Sequence, residues 1–285
     1  MLSAGAMTRN PEPDPPGLPL PLTGRTALFA ILGDPIAQAG SPMLFNAAFR
    51  RRGWPAVLVP MHVTAEALAT TLRGLRGIGN LRGLVLTTPH KTAALDLVDS
   101  LGPEAQLVGS INAIHCGRGD HWHGENFDGL GCLLGLKTAG HHVAGKRVLI
   151  VGTGGAGRAV AAAIARESPA HLRLYDRDVA RAAQFCADLG TAYAKVRTDV
   201  GAPDPSSFDV VINCTPLGMA DVPGMAIDPD KLVVGTLVVD LVIEPELTGL
   251  LQAAQAKDCV VQPGWRTLQG QVDALCAFFE GENNG

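Results

Sequence analysis

Short apolar runs alternate along the chain with longer segments whose apolar residues recur every three or four positions. Runs of the first kind predict buried strands, and segments of the second kind predict amphipathic helices. The predicted strands of the first half are ALFAIL (27–32), AVLVP (56–60), GLVLTT (83–88), and SINAIHC (110–116) joined to HWHGENF (121–127) by the turn GRGD. The predicted helices are SPMLFNAAFRRRG (41–53), with Ser41 at its cap and Pro42 at its first position, TAEALATTLRGLRG (64–77) and PHKTAALDLV (89–98). This alternation predicts an α/β fold with largely parallel sheets, the first of about four to six strands.

A second α/β unit follows a predicted connecting helix, DGLGCLLGLKTAG (128–140). Its first strand, VLIV, leads through Gly152-x-Gly154-x-x-Gly157 into an alanine-rich helix. In that context the glycines are typical of a dinucleotide-binding turn, because they let a pyrophosphate approach the N–H groups at the start of the helix. The alternative is a glycine-rich turn that serves only packing.

The next predicted strand, HLRLY, ends at Asp176, about twenty residues beyond the last glycine, where a carboxylate is expected to hold the adenosine ribose. Arg177 and Asp178 follow. A carboxylate at this point repels a 2′-phosphate, whereas an arginine attracts it. Because two acids flank the single arginine, NAD is favoured over NADP as the cofactor, with NADP remaining an alternative.

Composition excludes several classes of protein. The 285 residues include 23 basic and 27 acidic side chains without a basic cluster, which argues against a nucleic-acid partner. No apolar run is long enough to span a bilayer and no signal peptide is evident, so a cytoplasmic protein without a membrane partner is expected. The six cysteines and eight histidines show no metal-ligand or disulfide spacing. The proline-rich residues 1–24 are expected to form a flexible extension.

Lys91 stands in the first turn of a predicted helix, where the partial positive charge of the helix N-terminus disfavours an ammonium. One interpretation is an ordinary solvated lysine. The other is a lysine whose destabilised ammonium is useful for proton transfer.

An ordered series of motifs resembles shikimate dehydrogenases and their quinate/shikimate relatives. The motifs are GDPIAQAGSP, GLVLTTPHK, GSINA, GENFDGLG, VGTGGAGRA, INCTPLGM, DLVIEPELTGLL and PGWRTLQGQ. The resemblance implies a substrate domain, a Rossmann domain and a cleft between them, and reversible hydride transfer between C3 of a cyclic hydroxy acid and the nicotinamide, a step of aromatic amino acid biosynthesis. The expected divisions are 1–24 (extension), 25–127 (substrate domain), 128–262 (Rossmann domain) and 263–285 (C-terminal helix packing back on the substrate domain).

The resemblance also implies roles for particular residues. Lys91 takes the hydroxyl proton and Asp128 orients the same hydroxyl, although a helix N-cap is an alternative for Asp128. The positions matching the family's substrate contacts are Thr87, Asn112 and Gln271 for ring hydroxyls and Ser41 for the carboxylate. The positions matching its cofactor contacts are Gly152, Gly154, Gly155, Ala156, Gly157, Asp176 and Arg177 in the dinucleotide motif, and Thr215, Leu241 and Gly264 near the nicotinamide.

Five positions depart from the family pattern. They are Gln38 for a histidine, Ala39 for the first serine of Ser-x-Ser, Val85 for an asparagine, Phe127 for a threonine and Ile243 for a tyrosine. Removing hydrogen-bonding groups leaves a substrate carboxylate underpaired. Three hypotheses remain: a shikimate or quinate dehydrogenase, the same chemistry on another cyclic hydroxy acid, or a dinucleotide-binding sensor without turnover. A monomer or homodimer is expected.

Overall fold

The computed structural model describes residues 22–117 and 121–281. The extension expected over residues 1–24 lies outside the described residues as far as position 21, and so do three of the four residues of the GRGD turn. The described chain forms two six-stranded sheets with helices packed on them. The predicted α/β class is therefore confirmed.

The first sheet is built from residues 27–125. Its strands are β1 (Ala27–Gly33), β2 (Ala56–His62), β3 (Leu81–Leu86), β4 (Ser100–Leu101), β5 (Ala113–Cys116) and β6 (Trp122–Glu125), in the spatial order β2-β1-β3-β5-β6-β4. Its helices are α1 (Ser41–Arg51), α2 (Leu68–Leu75), α3 (His90–Ala93) and α4 (Pro103–Val108). β1 pairs in parallel with β2 and β3, whereas β5 runs antiparallel to β3 and β6. The sheet is mixed because β5 and β6 follow each other as a hairpin.

The second sheet is entirely parallel. Its strands are β7 (Arg147–Val151), β8 (His171–Tyr175), β9 (Thr198–Val200), β10 (Val210–Asn213), β11 (Leu237–Asp240) and β12 (Val260–Gln262), in the order β12-β11-β10-β7-β8-β9. The helices of this part are α5 (Asp128–Thr138), α6 (Gly155–Arg166), α7 (Val179–Ala192), α8 (Gly249–Gln255) and α9 (Trp265–Glu280). From β7 the chain continues to one side through β8 and β9, and then returns to the other side of β7 for β10, β11 and β12. Doubly wound folds bind ligands at such a reversal, which here lies at the carboxyl ends of β7 and β10.

Helix α9 returns from the second sheet to the first. The ring of Phe279 lies 5.0 Å from that of Phe29 on β1, and Phe29 lies 5.0 Å from Phe49 on α1. Because these three rings are at most 3% exposed, α9 completes the core on one face of the first sheet.

The structure corrects the helix predicted over residues 89–98. Only one α-turn forms, His90–Ala93, followed by a 3₁₀ turn at Leu95–Leu97. The side chains of Leu95 and Leu97 both pack on the core of the first sheet. Residues two positions apart cannot share one face of an α-helix, so the helix ends before them.

The predicted start of α1 is also displaced. Gly40 occupies the cap, Ser41 is the first helical residue and makes no side-chain capping bond, and Pro42 falls one position later than expected. The first turn tolerates this shift because its N–H groups have no partner within the helix. Helix α2 is shorter than predicted, since residues 65–67 form turns before it and the helix ends at Leu75.

Helices α5 and α9 cross closely through glycines. A Cβ on Gly131 would collide with Cγ of Gln271 and lie 2.7 Å from the carbonyl oxygen of Thr267. A Cβ on Gly270 would lie 3.1 Å from the amide nitrogen of Gly135. The crossing therefore brings the backbones of the two helices into contact and fixes the position of Gln271.

Within residues 22–117 and 121–281, no helix combines the length and apolar character that crossing a membrane requires.

We expect Gly131→Ala to lower the free energy of unfolding by about 1–3 kcal/mol, the usual cost of overpacking a core. Urea denaturation of the purified variant measures this change. The matched control is Gly74→Ala in α2, where an added Cβ has no neighbour within 4 Å and should leave stability unchanged or raise it by up to about 1 kcal/mol. If Gly131→Ala is as stable as the parent chain, the α5–α9 contact is looser than described.

Candidate active site

A buried carboxylate, that of Asp128, lies at the centre of the site. It is the first residue of α5 and is 5% exposed. Its Oδ2 accepts a hydrogen bond from Lys91 Nζ at 2.5 Å, and its Oδ1 accepts from Asn112 Nδ2 at 2.9 Å and Gln271 Nε2 at 3.2 Å. Four segments far apart in the sequence therefore converge on one charge. Three predicted catalytic or substrate residues are brought together here with Asp128.

The environment of Lys91 excludes the solvated-lysine interpretation. Its side chain is 18% exposed and its ammonium is paired with Asp128. Its backbone oxygen accepts from Ile111 N at 2.8 Å, which holds α3 against the sheet. The helix whose dipole was expected to act on Lys91 is a single turn, and the carboxylate of Asp128 is the charge nearest to the ammonium.

Asn112 is held rigidly beside the ion pair. Its Oδ1 accepts from Phe127 N at 2.9 Å, and its Nδ2 also lies 3.3 Å from Gln271 Oε1. Because these bonds fix which way the amide faces, Asn112 presents an N–H to Asp128.

Asn126, a residue that sequence reasoning missed, links the pair to the second sheet. Asp128 is not a helix N-cap, since that position belongs to Phe127. The backbone N–H of Asp128 instead donates to Asn126 Oδ1 at 2.9 Å. Asn126 Nδ2 donates to Ser110 Oγ at 3.0 Å. Ser110 Oγ donates in turn to the carbonyl of Gly155 at 3.2 Å. The available signal was a polar residue two positions before a helix start, where an Asx side chain commonly bonds the backbone.

The glycine-rich turn has the predicted strand–turn–helix geometry. Gly152 has a φ of +95°, a left-handed conformation that other residues rarely adopt, and Gly154 caps α6. Nothing lies within 4 Å of a Cβ on Gly154, whereas one on Gly155 would lie 3.5 Å from Cβ of Lys91. The open N-terminus of α6 fits a pyrophosphate, and it lies directly beside Lys91.

The carboxylate of Asp176 accepts four hydrogen bonds from the protein, which the sequence did not predict. Its Oδ2 accepts from Thr153 N at 2.6 Å and Thr153 Oγ1 at 3.0 Å, while its Oδ1 accepts from Asp178 N at 2.9 Å and Arg181 Nη2 at 2.8 Å. Burial raises the pKa of this carboxyl, but the four hydrogen bonds outweigh burial and bring the pKa to about 2. Asp176 is therefore ionised and holds the turn before α6, and Arg177 beside it is exposed.

The predicted nicotinamide-side residues lie together at the ends of β10 and β11. Thr215 donates from its N and Oγ1 to Asn213 Oδ1 at 2.9 and 2.7 Å. Leu241 N donates to Asn213 O at 3.0 Å, and a Cβ on Gly264 would lie 2.7 Å from the carbonyl oxygen of Leu241. Gly152 faces this group, since a Cβ on it would lie 2.8 Å from Cγ2 of Thr215.

Asp240 holds Asn213, the residue to which Thr215 is hydrogen-bonded. Sequence reasoning did not identify Asp240. It is fully buried, and it accepts from Asn213 Nδ2 at 3.0 Å, Thr248 Oγ1 at 2.7 Å and Val242 N at 3.0 Å. Burial raises the pKa of this carboxyl, against the opposing effect of its donors.

The remaining predicted substrate residues lie on the side of the first sheet. Thr87 follows β3, and its N–H donates to Leu32 O at 3.0 Å. Ser41 is 6% exposed at the start of α1. Gln38 directs its amide to Pro35 O at 3.0 Å, and the ring of Phe127 packs 5.1 Å from that of Phe278.

Together these groups suit proton transfer beside a turn that can hold a dinucleotide. A hydroxyl placed at the Lys91–Asp128 pair can lose or gain a proton there, beside a turn suited to a dinucleotide. Among the described residues no group of three or more His, Cys, Asp or Glu side chains could hold a metal ion.

Comparisons with known proteins agree with this arrangement. Residues 31–114 match the model of the shikimate dehydrogenase substrate binding domain. A shikimate dehydrogenase (NADP(+)) of Geobacter metallireducens is 34% identical over 88% of this chain and 90% of its own length.

Two solved structures share the fold over nearly the whole chain. The 5-ketofructose reductase of Gluconobacter sp. strain CHM43 has a TM-score of 0.79 at 29% identity and covers 91% of this chain and 94% of its own. The quinate dehydrogenase of Corynebacterium glutamicum in complex with NAD has a TM-score of 0.77 at 29% identity, with coverages of 90% and 94%.

The ionised Asp176 generates a prediction about stability and pH. A carboxylate whose pKa in the folded chain is below its unfolded value stabilises the fold above the unfolded pKa, and this contribution is lost as pH falls through the folded pKa. We expect Asp176→Asn to lower the free energy of unfolding by ~2 kcal/mol at pH 7, and by less at pH 3, between the unfolded value of 3.8 and the folded value of about 2.

Chemical denaturation at the two pH values measures the difference. The control is Asp178→Asn, which keeps a capping acceptor for the N–H of Arg181 and should change stability by less than about 0.5 kcal/mol. An equal loss at pH 7 and pH 3 for Asp176→Asn would show that the charge of Asp176 does not hold the turn.

Proposed function

The chain belongs to the shikimate dehydrogenase family, and we propose that Lys91 and Asp128 carry out the family's reversible hydride transfer between NAD(P) and the C3 hydroxyl or ketone of shikimate, quinate or a related cyclic hydroxy acid. The observation that carries this proposal is the 2.5 Å contact between Lys91 Nζ and Asp128 Oδ2 beside the glycine-rich turn. We propose the division into residues 25–127, 128–262 and 263–285 on the same basis, since the two sheets and α9 follow it.

Proton transfer falls to Lys91 in this proposal. In the oxidation direction Lys91, as the neutral amine, takes the proton of the substrate hydroxyl at Nζ, and in the reduction direction its ammonium returns the proton to the ketone oxygen. Asp128 orients this hydroxyl through its contact with Lys91 and holds Lys91 in place. Asn112 and Gln271 support this role, because their donors satisfy Oδ1 of Asp128 and leave Oδ2 for the lysine and the substrate.

The chain's own groups also suit the cofactor. A bound nicotinamide dinucleotide supplies or accepts the hydride. Its pyrophosphate fits the turn formed by Gly152, Gly154, Gly155, Ala156 and Gly157, at the N-terminus of α6. Thr215, Leu241 and Gly264 line the opposite side of the crevice, which supports their assignment to the nicotinamide half.

The ring hydroxyls of the substrate are assigned to amide and hydroxyl side chains around the ion pair. Thr87, Asn112 and Gln271 are the proposed partners, and Asn112 and Gln271 are 2% and 8% exposed. A sensor without turnover gains no support, because a binding protein has no need of a lysine buried against a carboxylate next to the turn.

The Geobacter relative is named for NADP(+), and the quinate dehydrogenase was solved in complex with NAD. We propose that this chain prefers NAD. Asp176 is ionised at the end of β8 and repels a 2′-phosphate. Arg181 is paired with Asp176 at 2.8 Å, so their charges partly balance each other, and Asp178 adds a further negative charge beside them. Arg177 is the exposed cation that would favour NADP.

We expect Lys91→Ala to lower kcat by about two to four orders of magnitude, the usual contribution of a positioned acid or base. Steady-state assays of reduced nicotinamide formation with shikimate and quinate measure this loss. Lys137→Ala, which removes an exposed lysine paired with Glu167, is the control and should leave kcat unchanged. Turnover of Lys91→Ala within threefold of the parent chain would remove Lys91 from the mechanism.

We expect kcat/KM to be higher with NAD than with NADP. Asp176→Asn should shift the ratio toward NADP because it removes the repelling charge, and Arg177→Ala should shift it toward NAD because it removes the attracting one. Initial rates with both cofactors at fixed substrate give the three ratios. A tenfold preference of the parent chain for NADP would contradict the proposal and assign the 2′-phosphate to Arg177.

A further inference from the structure

Asp240 is a buried carboxylate to which the proposed hydride transfer gives no role. It is the last residue of β11 and is fully buried. Its three donors are Asn213 Nδ2, Val242 N and Thr248 Oγ1, all of them neutral groups. Burying a carboxylate in this way costs free energy unless its hydrogen bonds are complete. The position of each donor is therefore tightly constrained.

The carboxylate of Asp240 fixes the direction of the Asn213 amide. An ionised carboxylate can only accept hydrogen bonds, so the amide must turn its donor, Nδ2, toward Asp240. The carbonyl oxygen Oδ1 of Asn213 then faces Thr215, from which it accepts through N at 2.9 Å and Oγ1 at 2.7 Å. The proton of the Thr215 hydroxyl is therefore committed to Asn213.

This hydrogen bond determines where the methyl group of Thr215 points. Oγ1 also accepts from Leu217 N at 3.2 Å, so the hydroxyl is used within the protein as donor and as acceptor. Cγ2 points to the glycine-rich turn instead, since a Cβ on Gly152 would lie 2.8 Å from it. The methyl group is therefore the part of Thr215 that lies beside the turn, at the carboxyl ends of β7 and β10.

We propose that Asp240 is a positioning residue for the nicotinamide half of the cofactor, acting through Asn213 to present the methyl group of Thr215 as a packing surface. A flat ring gains contacts against a methyl group, whereas it would leave a hydroxyl in the same place without a partner. The inference rests on the proposed dinucleotide site and adds to it a residue that touches neither cofactor nor substrate.

The test uses two ligands, NADH and ADP-ribose, which lacks the nicotinamide. Calorimetric titration of the purified parent chain and of Asp240→Asn gives both dissociation constants without substrate or turnover. Asparagine has the size of aspartate but carries a donor as well as an acceptor, so it no longer dictates the direction of Asn213. We expect Asp240→Asn to weaken NADH binding by about threefold or more, the effect of weakening a charged hydrogen bond, and to leave ADP-ribose binding unchanged.

Asp228→Asn is the matched control. Asp228 accepts a hydrogen bond from the backbone N of Asp230 two positions on, as Asp240 does from Val242, but it is exposed. This variant should change neither dissociation constant. If Asp240→Asn weakens NADH and ADP-ribose equally, the substitution damages the whole site, and if it weakens neither, Asp240 has no part in binding; both outcomes overturn the inference.

A double-mutant cycle tests whether Asp240 acts through Thr215. Thr215→Val keeps the shape of the side chain but has no hydroxyl for Asn213 to direct. In that background Asp240→Asn should change NADH binding by less than about twofold, because coupled residues lose their separate effects. An equal effect of Asp240→Asn in both backgrounds contradicts the pathway.

Thr215→Ser provides an arm that does not require Asp240→Asn to fold. It keeps the hydroxyl and removes the methyl group, so it should weaken binding of NADH and leave that of ADP-ribose unchanged. Unchanged or tighter binding of NADH overturns the inference.

Absorbance of reduced nicotinamide with shikimate and quinate tests the proposed function separately. Selective weakening of NADH binding by Asp240→Asn, in a parent chain that never reduces NAD, supports the inference and contradicts the function. Turnover by the parent chain, with NADH binding unaffected by Asp240→Asn, does the reverse.

Discussion

The burial of one carboxylate, that of Asp128, constrains the whole arrangement. A charge that is 5% exposed is stable only when donors surround it, and here they come from α3, from the start of β5 and from α9. Gln271 reaches Asp128 only because α9 leaves the second sheet and crosses α5 at glycine contacts. The return of the chain to the first sheet is therefore part of the active site as well as part of the fold.

The same network fixes the glycine-rich turn relative to the Lys91–Asp128 pair. Asn126 joins the backbone of Asp128 to Ser110, and Ser110 joins the carbonyl of Gly155. Reactions between two bound groups depend on their separation to within fractions of an ångström. A short chain of buried hydrogen bonds provides that precision better than a flexible linker between two sheets.

Local periodicity and motif spacing predicted five strands of the first sheet, the first two strands of the second and the glycine-rich turn, whereas the residues at the ion pair were expected from the family resemblance. They did not predict that α3 ends after one turn, since the packing of Leu95 and Leu97 on the sheet decides it. Neither Asn126 nor Arg181 was identified, because their partners lie in tertiary contacts. The strand order, including the antiparallel β5, likewise follows from pairing between distant segments.

The contacts among the rings of Phe29, Phe49 and Phe279 also bear on how the chain folds during synthesis. Phe279 follows the entire second sheet in the sequence, yet it closes the core under β1. Contacts between such distant positions slow folding, because the intervening loop must be ordered first. On the ribosome, the face of the first sheet that α9 completes therefore stays partly uncovered until the second unit has been made, and this region is where chaperone binding or aggregation is most favoured.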